Sequence, residues 1–316
     1  MADATEHSSK SEKREASHDE RPAGRLIPYG KAASHAAVEA LAKTDATILR
    51  LQKLLSTSAG QEVVLSTLNY SSQVLHYLLE SYPLAALRAR IRSLLLQKLG
   101  GKAPAAPPPP PSSARPPLLA FSSLMSETRY TLRLFQLISI WSWGSSVYKS
   151  PPKDRTLRAI AYLEVLLILV YQALENVVYL ASKGIAGQKL VSRIGGAKNW
   201  SLWSCRAWFG YVLLQFVRLR RESVLFAQQE REKMKLRAEQ VLAGEKPASP
   251  SDQEEAEARR LVVRTWRKKL VNSLAWAPLC AHWSFEQGIG VPANLTGLIS
   301  LSAGVWNTYD TWQATA

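Results

Sequence analysis

The most restrictive feature of this chain is a long apolar run at residues 157–182 that contains neither glycine nor proline. Its apolar residues recur with helical spacing. Gly184, directly after Lys183, supplies a left-handed stop, and the lysine places a cation at the negative end of the helix. A helix of about 26 residues is long enough to cross a hydrocarbon layer of ~30 Å. The run therefore predicts either a membrane-spanning helix or a buried helix of a soluble bundle.

Polar residues interrupt this run, so a simple lipid-facing span is excluded. They are Glu164, Gln172, Glu175 and Asn176. A carboxylate at membrane depth is costly, so Glu175 should face another helix and meet a cation. We predict that this cation is Arg129, Arg133 or Arg206, and that the pair is structural rather than catalytic.

Aromatic composition and charge favour a membrane over a soluble bundle with a Trp-rich core. Ten Trp and 11 Tyr stand against 6 Phe, and amphipathic rings concentrate where lipid meets water. Forty Lys and Arg against 25 Asp and Glu give a net charge of +15, which predicts an anionic partner. Several cations lie beside apolar, Trp-containing stretches, namely Arg206, Arg218, Arg220, Arg221, Arg267, Lys268 and Lys269. This placement favours anionic phospholipid over nucleic acid.

No set of residues in the sequence predicts catalysis, a metal site or a cofactor. The five His are scattered, and no Walker loop, dinucleotide turn or nucleophile elbow is present. Cys205 and Cys280 are too few and too far apart for a disulfide framework, which fits a reducing compartment. We expect a non-enzymatic protein without cofactors.

The third predicted helix of the N-terminal block is basic and amphipathic. Pro83 lies in its first turn, and glycines at 100 and 101 end it. The predicted membrane-binding residues are Leu84, Leu87, Arg88, Ile91, Arg92, Leu94 and Leu95. Lys98 falls on the apolar face and Leu96 off it, so the separation of apolar and basic residues is imperfect. The alternative to membrane binding is packing of this face onto the two preceding helices.

The C-terminal stretch is the best candidate for a membrane span. Residues 287–309 carry no charged side chain, although Pro292 weakens the run as a regular helix. Gly297 and Gly304 lie on nearly one face, where small residues allow close helix approach, so we predict self-association there. The preceding basic cluster predicts that this side is cytosolic. A re-entrant arrangement of residues 270–285 is the alternative.

Three ordered motifs resemble one known family. The first contains Arg129 and Arg133, the second contains Tyr171, Glu175, Asn176, Tyr179, Lys183 and Gly184, and the third contains Arg206. Together they resemble the peroxisomal biogenesis factor 11 family, closest to its divergent fungal branch, over residues 63–222 and weakly over 295–306. The resemblance implies a peroxisomal membrane protein that elongates and divides the organelle. The family's Asp-Lys-x-x-Arg signature is only faintly echoed at residues 44–50.

These observations predict an all-α, membrane-associated protein with amphipathic helices, one or two transmembrane helices and a disordered N-terminus. The predicted segments are a polar leader (1–40), an amphipathic helical region (41–100), a Pro-rich linker (101–117), a central helical region (118–222), a charged helix and loop (223–258), and a basic cluster with a membrane segment (259–316). We expect homo-oligomers on anionic phospholipid, with fission machinery as a candidate partner. A channel for small metabolites is the alternative function, and a soluble nucleic-acid-binding bundle ranks third.

Overall fold

The computed structural model describes residues 29–98, 115–193, 195–243 and 252–316. These residues form helices and no strand, which confirms the all-α prediction. The helices are α1 (Tyr29–Leu55), α2 (Ser58–Glu80), α3 (Tyr82–Lys98), α4 (Pro117–Arg133), α5 (Gln136–Lys149), α6 (Arg155–Ser182), α7 (Gln188–Ser192), α8 (Ala197–Leu242), α9 (Asp252–Ser284) and α10 (Ala293–Gln313). Residues 1–28 of the predicted leader and residues 101–114 of the predicted linker lie outside the described residues.

The chain divides into two units, Met1–Leu49 and Arg50–Ala316. In the first unit, the described residues belong to α1, which begins at Tyr29, inside the segment that we assigned to the polar leader. Val38, Leu41 and Ile48 are exposed there. The second unit contains all of the helices that surround the candidate site.

The central region begins at Pro117, one residue before the predicted boundary, and its first part forms two helices. Pro117 opens α4, because a proline at the first helical position loses no backbone hydrogen bond. α4 ends at Arg133 and α5 begins at Gln136, so a short break directly follows the second motif arginine. Asp154 then caps α6 by accepting a hydrogen bond from the Leu157 amide at 2.9 Å.

The apolar helix was predicted almost to the residue. α6 runs over Arg155–Ser182, and Gly184 follows in the left-handed region with φ of 75°. Among the described residues it is the one helix long and apolar enough to cross a membrane, and only 22% of its most apolar window is buried inside the structure. A core helix of a soluble bundle would be mostly buried, so α6 differs from that alternative.

Our choice of residues 287–309 as the best span candidate was wrong. The helix in this region starts only at Ala293, after Pro292, and the residues immediately before Pro292 are not helical. α10 does not reach the length and hydropathy that α6 reaches. The alternative was a re-entrant arrangement of residues 270–285. These residues do not form a separate element, because α9 continues without interruption through Pro278 to Ser284.

Six helices of the second unit form a closed circuit of neighbours. Their order around the circuit is α2, α4, α6, α8, α9 and α10, with α10 returning to α2. α6 and α8 run antiparallel, because Glu164 meets Gln215 at one end and Ser204 meets Tyr171 at the other. α8 and α9 are also antiparallel, with Trp266 donating to the Leu219 carbonyl at 3.0 Å. Each helix of the circuit contributes side chains to the space in the middle.

Candidate functional site

A central cavity of about 1090 Å³ lies inside this circuit. All six helices line it, and the rest of the lining comes from α5 and from the turn between α9 and α10. Polar and charged side chains come mainly from α2, α4 and α6, whereas tryptophans come from α8 and α9. The cavity is therefore polar on one side and aromatic on the other.

Two arginines of α4 form the polar side. Arg129 donates from Nε and Nη2 to Glu62 Oε1 at 2.8 and 2.6 Å, and from Nη1 to the Tyr70 hydroxyl at 3.2 Å. Arg133 donates to Glu175 Oε1 at 2.9 Å. Because Arg129 and Arg133 are one helical turn apart, both face the same way. We call Glu62, Arg129, Arg133 and Glu175 the arginine cluster.

The arginine cluster joins three helices by charge. Arg133 Nη2 also lies 3.3 Å from Glu62 Oε1, and Tyr171 donates its hydroxyl proton to Glu175 Oε1 at 2.8 Å. Burial lowers the pKa of Arg133, but Tyr171, Glu175 and Glu62 outweigh this effect, and the pKa is raised well above its usual value. Both guanidinium groups therefore stay charged, and the cluster ties α4 to α2 and to α6.

The predicted partner of Glu175 is confirmed, and it is Arg133 among the three candidates. Arg206 has different contacts. It donates to the Ser284 carbonyl at 3.1 Å and lies over the Trp203 ring, 4.8 Å from its centroid. It belongs to the α8–α9 contact and does not line the central cavity.

The remaining motif residues of α6 line the cavity edge or hold neighbouring backbone. Asn176 donates to the Leu134 carbonyl at 3.4 Å, at the break between α4 and α5. The Tyr179 hydroxyl lies 2.7 Å from the Thr131 hydroxyl, and Lys183 pairs with Glu127. The arginine and tyrosine motifs therefore meet in space, although more than 30 residues separate them in sequence.

The aromatic side of the cavity was not foreseen. Trp208 stacks on Tyr171 with ring centroids 5.6 Å apart and on Trp283 at 5.9 Å, and Trp276 lies 5.0 Å from Trp208. The high tryptophan count was the available signal, but it did not show which rings come together. These contacts bury large apolar area between α6, α8 and α9.

A second buried ion pair was also missed. Glu164 of α6 is fully buried and pairs with Arg218 of α8, while Gln215 donates to its other oxygen at 2.9 Å. In the sequence analysis, Arg218 is one of the cations whose placement favours anionic phospholipid. It turns inward because an unpaired buried carboxylate would cost far more than this pairing.

The arrangement holds helices together. Its charged side chains are engaged with one another, and burial raises the pKa of Cys205, the cysteine that lines the cavity, to about 11. In the described part of the chain, no group of three His, Cys, Asp or Glu could bind a metal ion. His282 accepts a hydrogen bond from the Ile289 amide at 3.0 Å and shapes the turn before α10.

The predicted membrane-binding side chains lie on α3, apart from the cavity. The described apolar ones, Leu84, Leu87, Ile91, Leu94 and Leu95, are between 36% and 55% exposed. Arg88 is exposed as well, and the Arg92 side chain lies outside the described residues. Within the parts of the chain that the structure describes, α2 is the one helix that contacts α3.

The two glycines predicted for self-association differ in their surroundings. A Cβ at Gly297 would lie 2.8 Å from Gln73 Cβ of α2, whereas a Cβ at Gly304 would meet nothing within 4 Å. Ser300 between them is fully buried. The close helix approach at Gly297 is therefore made within the chain, and this glycine is not free to contact a second copy. Self-association through Gly304 stays a prediction.

The outer surface of the circuit carries large apolar side chains. On α6, Leu163, Leu166 and Val170 follow one helical face and are 39% to 53% exposed. On α8, Leu213 and Val217 are exposed to a similar degree. A water-facing surface rarely carries such faces, whereas a lipid-facing one requires them. Apolar faces outside and paired charges inside define a helical membrane protein.

Comparison with known proteins gives the family. The family model described as Peroxisomal biogenesis factor 11 (PEX11) matches residues 107–312, which is more than half of the chain. The chain belongs to the peroxisomal biogenesis factor 11 family, and it is a peroxisomal membrane protein involved in peroxisome proliferation. The match is continuous from α4 to α10 and does not include α1, α2 or α3. No curated protein and no solved structure matches the chain.

Proposed function

We propose that this protein is non-enzymatic and elongates the peroxisomal membrane by inserting α3 into the cytosolic leaflet. A helix that lies in one leaflet expands that leaflet relative to the other, and the area difference favours curvature before fission. α6 and its lipid-facing neighbours anchor the protein, while α3 acts at the surface. Homo-oligomers would concentrate these inserted helices, and fission machinery would act on the resulting tubule.

The observation that carries this proposal is the exposed apolar face of α3. Five large apolar side chains of this 17-residue helix are between 36% and 55% exposed, which is unfavourable in water. A fully buried leucine contributes about 1.5–3 kcal/mol, and a surface cation near anionic lipid about 1 kcal/mol. The apolar side chains therefore dominate binding, while Arg88 and Arg90 select an anionic surface.

The test is tubulation of anionic liposomes by the full-length protein. Replacing Leu87 and Ile91 by Glu should abolish tubulation, because both side chains would leave the lipid. The matched control replaces Leu236 and Val241, which are exposed on α8, by Glu and should tubulate like the wild type. Equal tubulation by all three proteins would show that α3 is not the inserted helix.

The central cavity supports a second candidate function, a passage for small metabolites. Its volume and its polar side could accommodate a small solute. If the cavity conducts, Thr296→Trp should reduce ion conductance in planar bilayers, because Thr296 lines the cavity. Thr311→Trp, on the exposed side of α10, is the control. If the wild-type protein shows no conductance, the passage for metabolites is ruled out.

A further inference from the structure

A basic groove lies between α9 and α10, and none of its lining residues belongs to the central cavity. It has a volume of about 480 Å³. Arg260, Arg264 and Arg267 line it from α9, and Trp306 lines it from α10. Residues spaced by four and three share one helical face, so the three guanidinium groups form a single stripe. No part of this groove contributes to the function proposed for α3.

The three arginines of the groove are free to bind an anion. Within the described part of the chain, no ion pair or hydrogen bond occupies Arg260, Arg264 or Arg267, and all three are exposed. The neighbouring cations behave differently, since Lys268 pairs with Asp310 at 2.6 Å and Arg259 lies 4.0 Å from Glu230. Three unpaired positive charges along one stripe repel one another and attract an anion with several negative oxygens.

The floor of the groove is apolar. Val263 and Val271 come from α9 and Trp306 from α10, and these side chains are only half-buried or exposed. This groove combines arginines with an exposed tryptophan and valines. It therefore fits an amphipathic molecule with an anionic headgroup and an apolar part better than it fits a free anion.

The position of the groove agrees with such a ligand. Arg221 pairs with Asp154, the cap of α6, at 2.6 Å, and Trp266 reaches the Leu219 carbonyl at 3.0 Å. The basic stripe of α9 therefore lies near the level at which α6, the candidate span, begins. Lipid headgroups would occupy this level if α6 crosses the membrane.

We propose that the basic groove binds the phosphorylated headgroup of an anionic phospholipid. The arginine stripe holds the phosphate oxygens, and the valines and Trp306 contact the glycerol and the first part of the acyl chains. This site would fix the orientation of α8 and α9 on the membrane surface. It depends on the membrane location of the protein but not on insertion of α3.

The test measures binding of the full-length protein to nanodiscs of phosphatidylcholine that contain phosphatidylinositol 4-phosphate. Changing Arg260, Arg264 and Arg267 together to Gln should weaken binding of the protein to these nanodiscs by at least about tenfold. The matched control changes Arg231, Lys233 and Lys235 of α8 to Gln, which removes the same charge from another exposed surface. Circular dichroism verifies equal helicity, and Arg264→Gln alone replaces the triple variant if that variant does not fold.

Two results would overturn the proposal. If both triple variants lose lipid binding to the same extent, net charge alone attracts the lipid. Competition by soluble inositol 1,4-bisphosphate as effective as competition by the lipid would mean that a free phosphate, not a lipid, is the ligand. The variant that carries Leu87→Glu and Ile91→Glu should bind the lipid in the groove normally. A failure of this site can therefore be distinguished from a failure of the function proposed for α3.

Discussion

Glu175 lies within the apolar helix α6 and pairs with Arg133 of α4 at 2.9 Å. Its place in an apolar helix predicts a buried cation partner, because an isolated carboxylate there is too costly. Arg129, Arg133 and Arg206 were the candidate partners, and only the packing of α4 against α6 selects Arg133. Arg206 lies on a helix that also neighbours α6 but points to Ser284. Side-chain direction in the folded circuit, which no local pattern encodes, made this choice.

Glu175→Gln should destabilise the protein by about 3 kcal/mol, because it leaves Arg133 buried with one carboxylate fewer. The effect is at the lower end for a broken buried pair, since Glu62 remains 3.3 Å from Arg133. The control is Glu127→Gln, which breaks the half-exposed pair with Lys183 and should cost less than about 1 kcal/mol. Chemical unfolding in detergent measures both, and equal losses would contradict the structural role of the arginine cluster.

Asp154 predicts a pH dependence at low pH. A hydrogen bond from Arg221 and one from the Leu157 amide lower its pKa from 3.8 to about 2. A carboxylate with a depressed folded-state pKa stabilises the fold above pH 3.8, and this contribution disappears as the pH falls towards 2. The stability difference between the wild type and Asp154→Asn should therefore shrink across this interval. A difference that is constant from pH 6 to pH 2 would be inconsistent with the Arg221 pair.

At the scale of helices, the contact between α2 and α10 depends on a glycine. Gly297→Ala would place a Cβ 2.8 Å from Gln73 Cβ and should destabilise the fold by about 1–3 kcal/mol. Gly304→Ala meets nothing within 4 Å and should be neutral or slightly stabilising in detergent unfolding.

If self-association uses Gly304, Gly304→Val should reduce cross-linked oligomers in membranes while leaving the monomer fold intact.

The helices themselves could be predicted where a local signal ends them. The bounds of α6 followed from an uninterrupted apolar period and a glycine stop. Composition misled the prediction elsewhere. We divided α8 at the point where apolar residues give way to charged ones, but a helix continues through a change of polarity when nothing breaks its hydrogen bonds. Similarly, the absence of charge over residues 287–309 hid the fact that the helix begins only after Pro292.

In the molecule as a whole, a group of basic residues lies near the start of α6. Lys149, Lys153, Arg155 and Arg158 precede or begin this helix, and the cations of α9 lie at the same level. Positive residues favour the cytosolic side of a membrane, so this end should face the cytosol. The central cavity could not be predicted at this scale, because it arises only when six helices from distant parts of the sequence close into a circuit.

This orientation can be measured with an impermeant maleimide on intact peroxisomes. In a protein that lacks Cys205 and Cys280, a cysteine at Lys153 should be labelled without detergent, whereas one at Lys189, beyond the other end of α6, should require detergent. Both positions are exposed, so burial would not account for a difference. Labelling of both in intact organelles would mean that α6 does not cross.

The continuity of α8 gives the protein a mechanical property. At ~1.5 Å per residue its 46 residues extend over about 70 Å, and the second half projects alongside the start of α9. A lever of this length amplifies motion, so a tilt of ~5° about Trp200 would displace Leu242 by roughly 5 Å. A small change in the tilt of the half that packs on α6 would thus become a much larger displacement at the distal end.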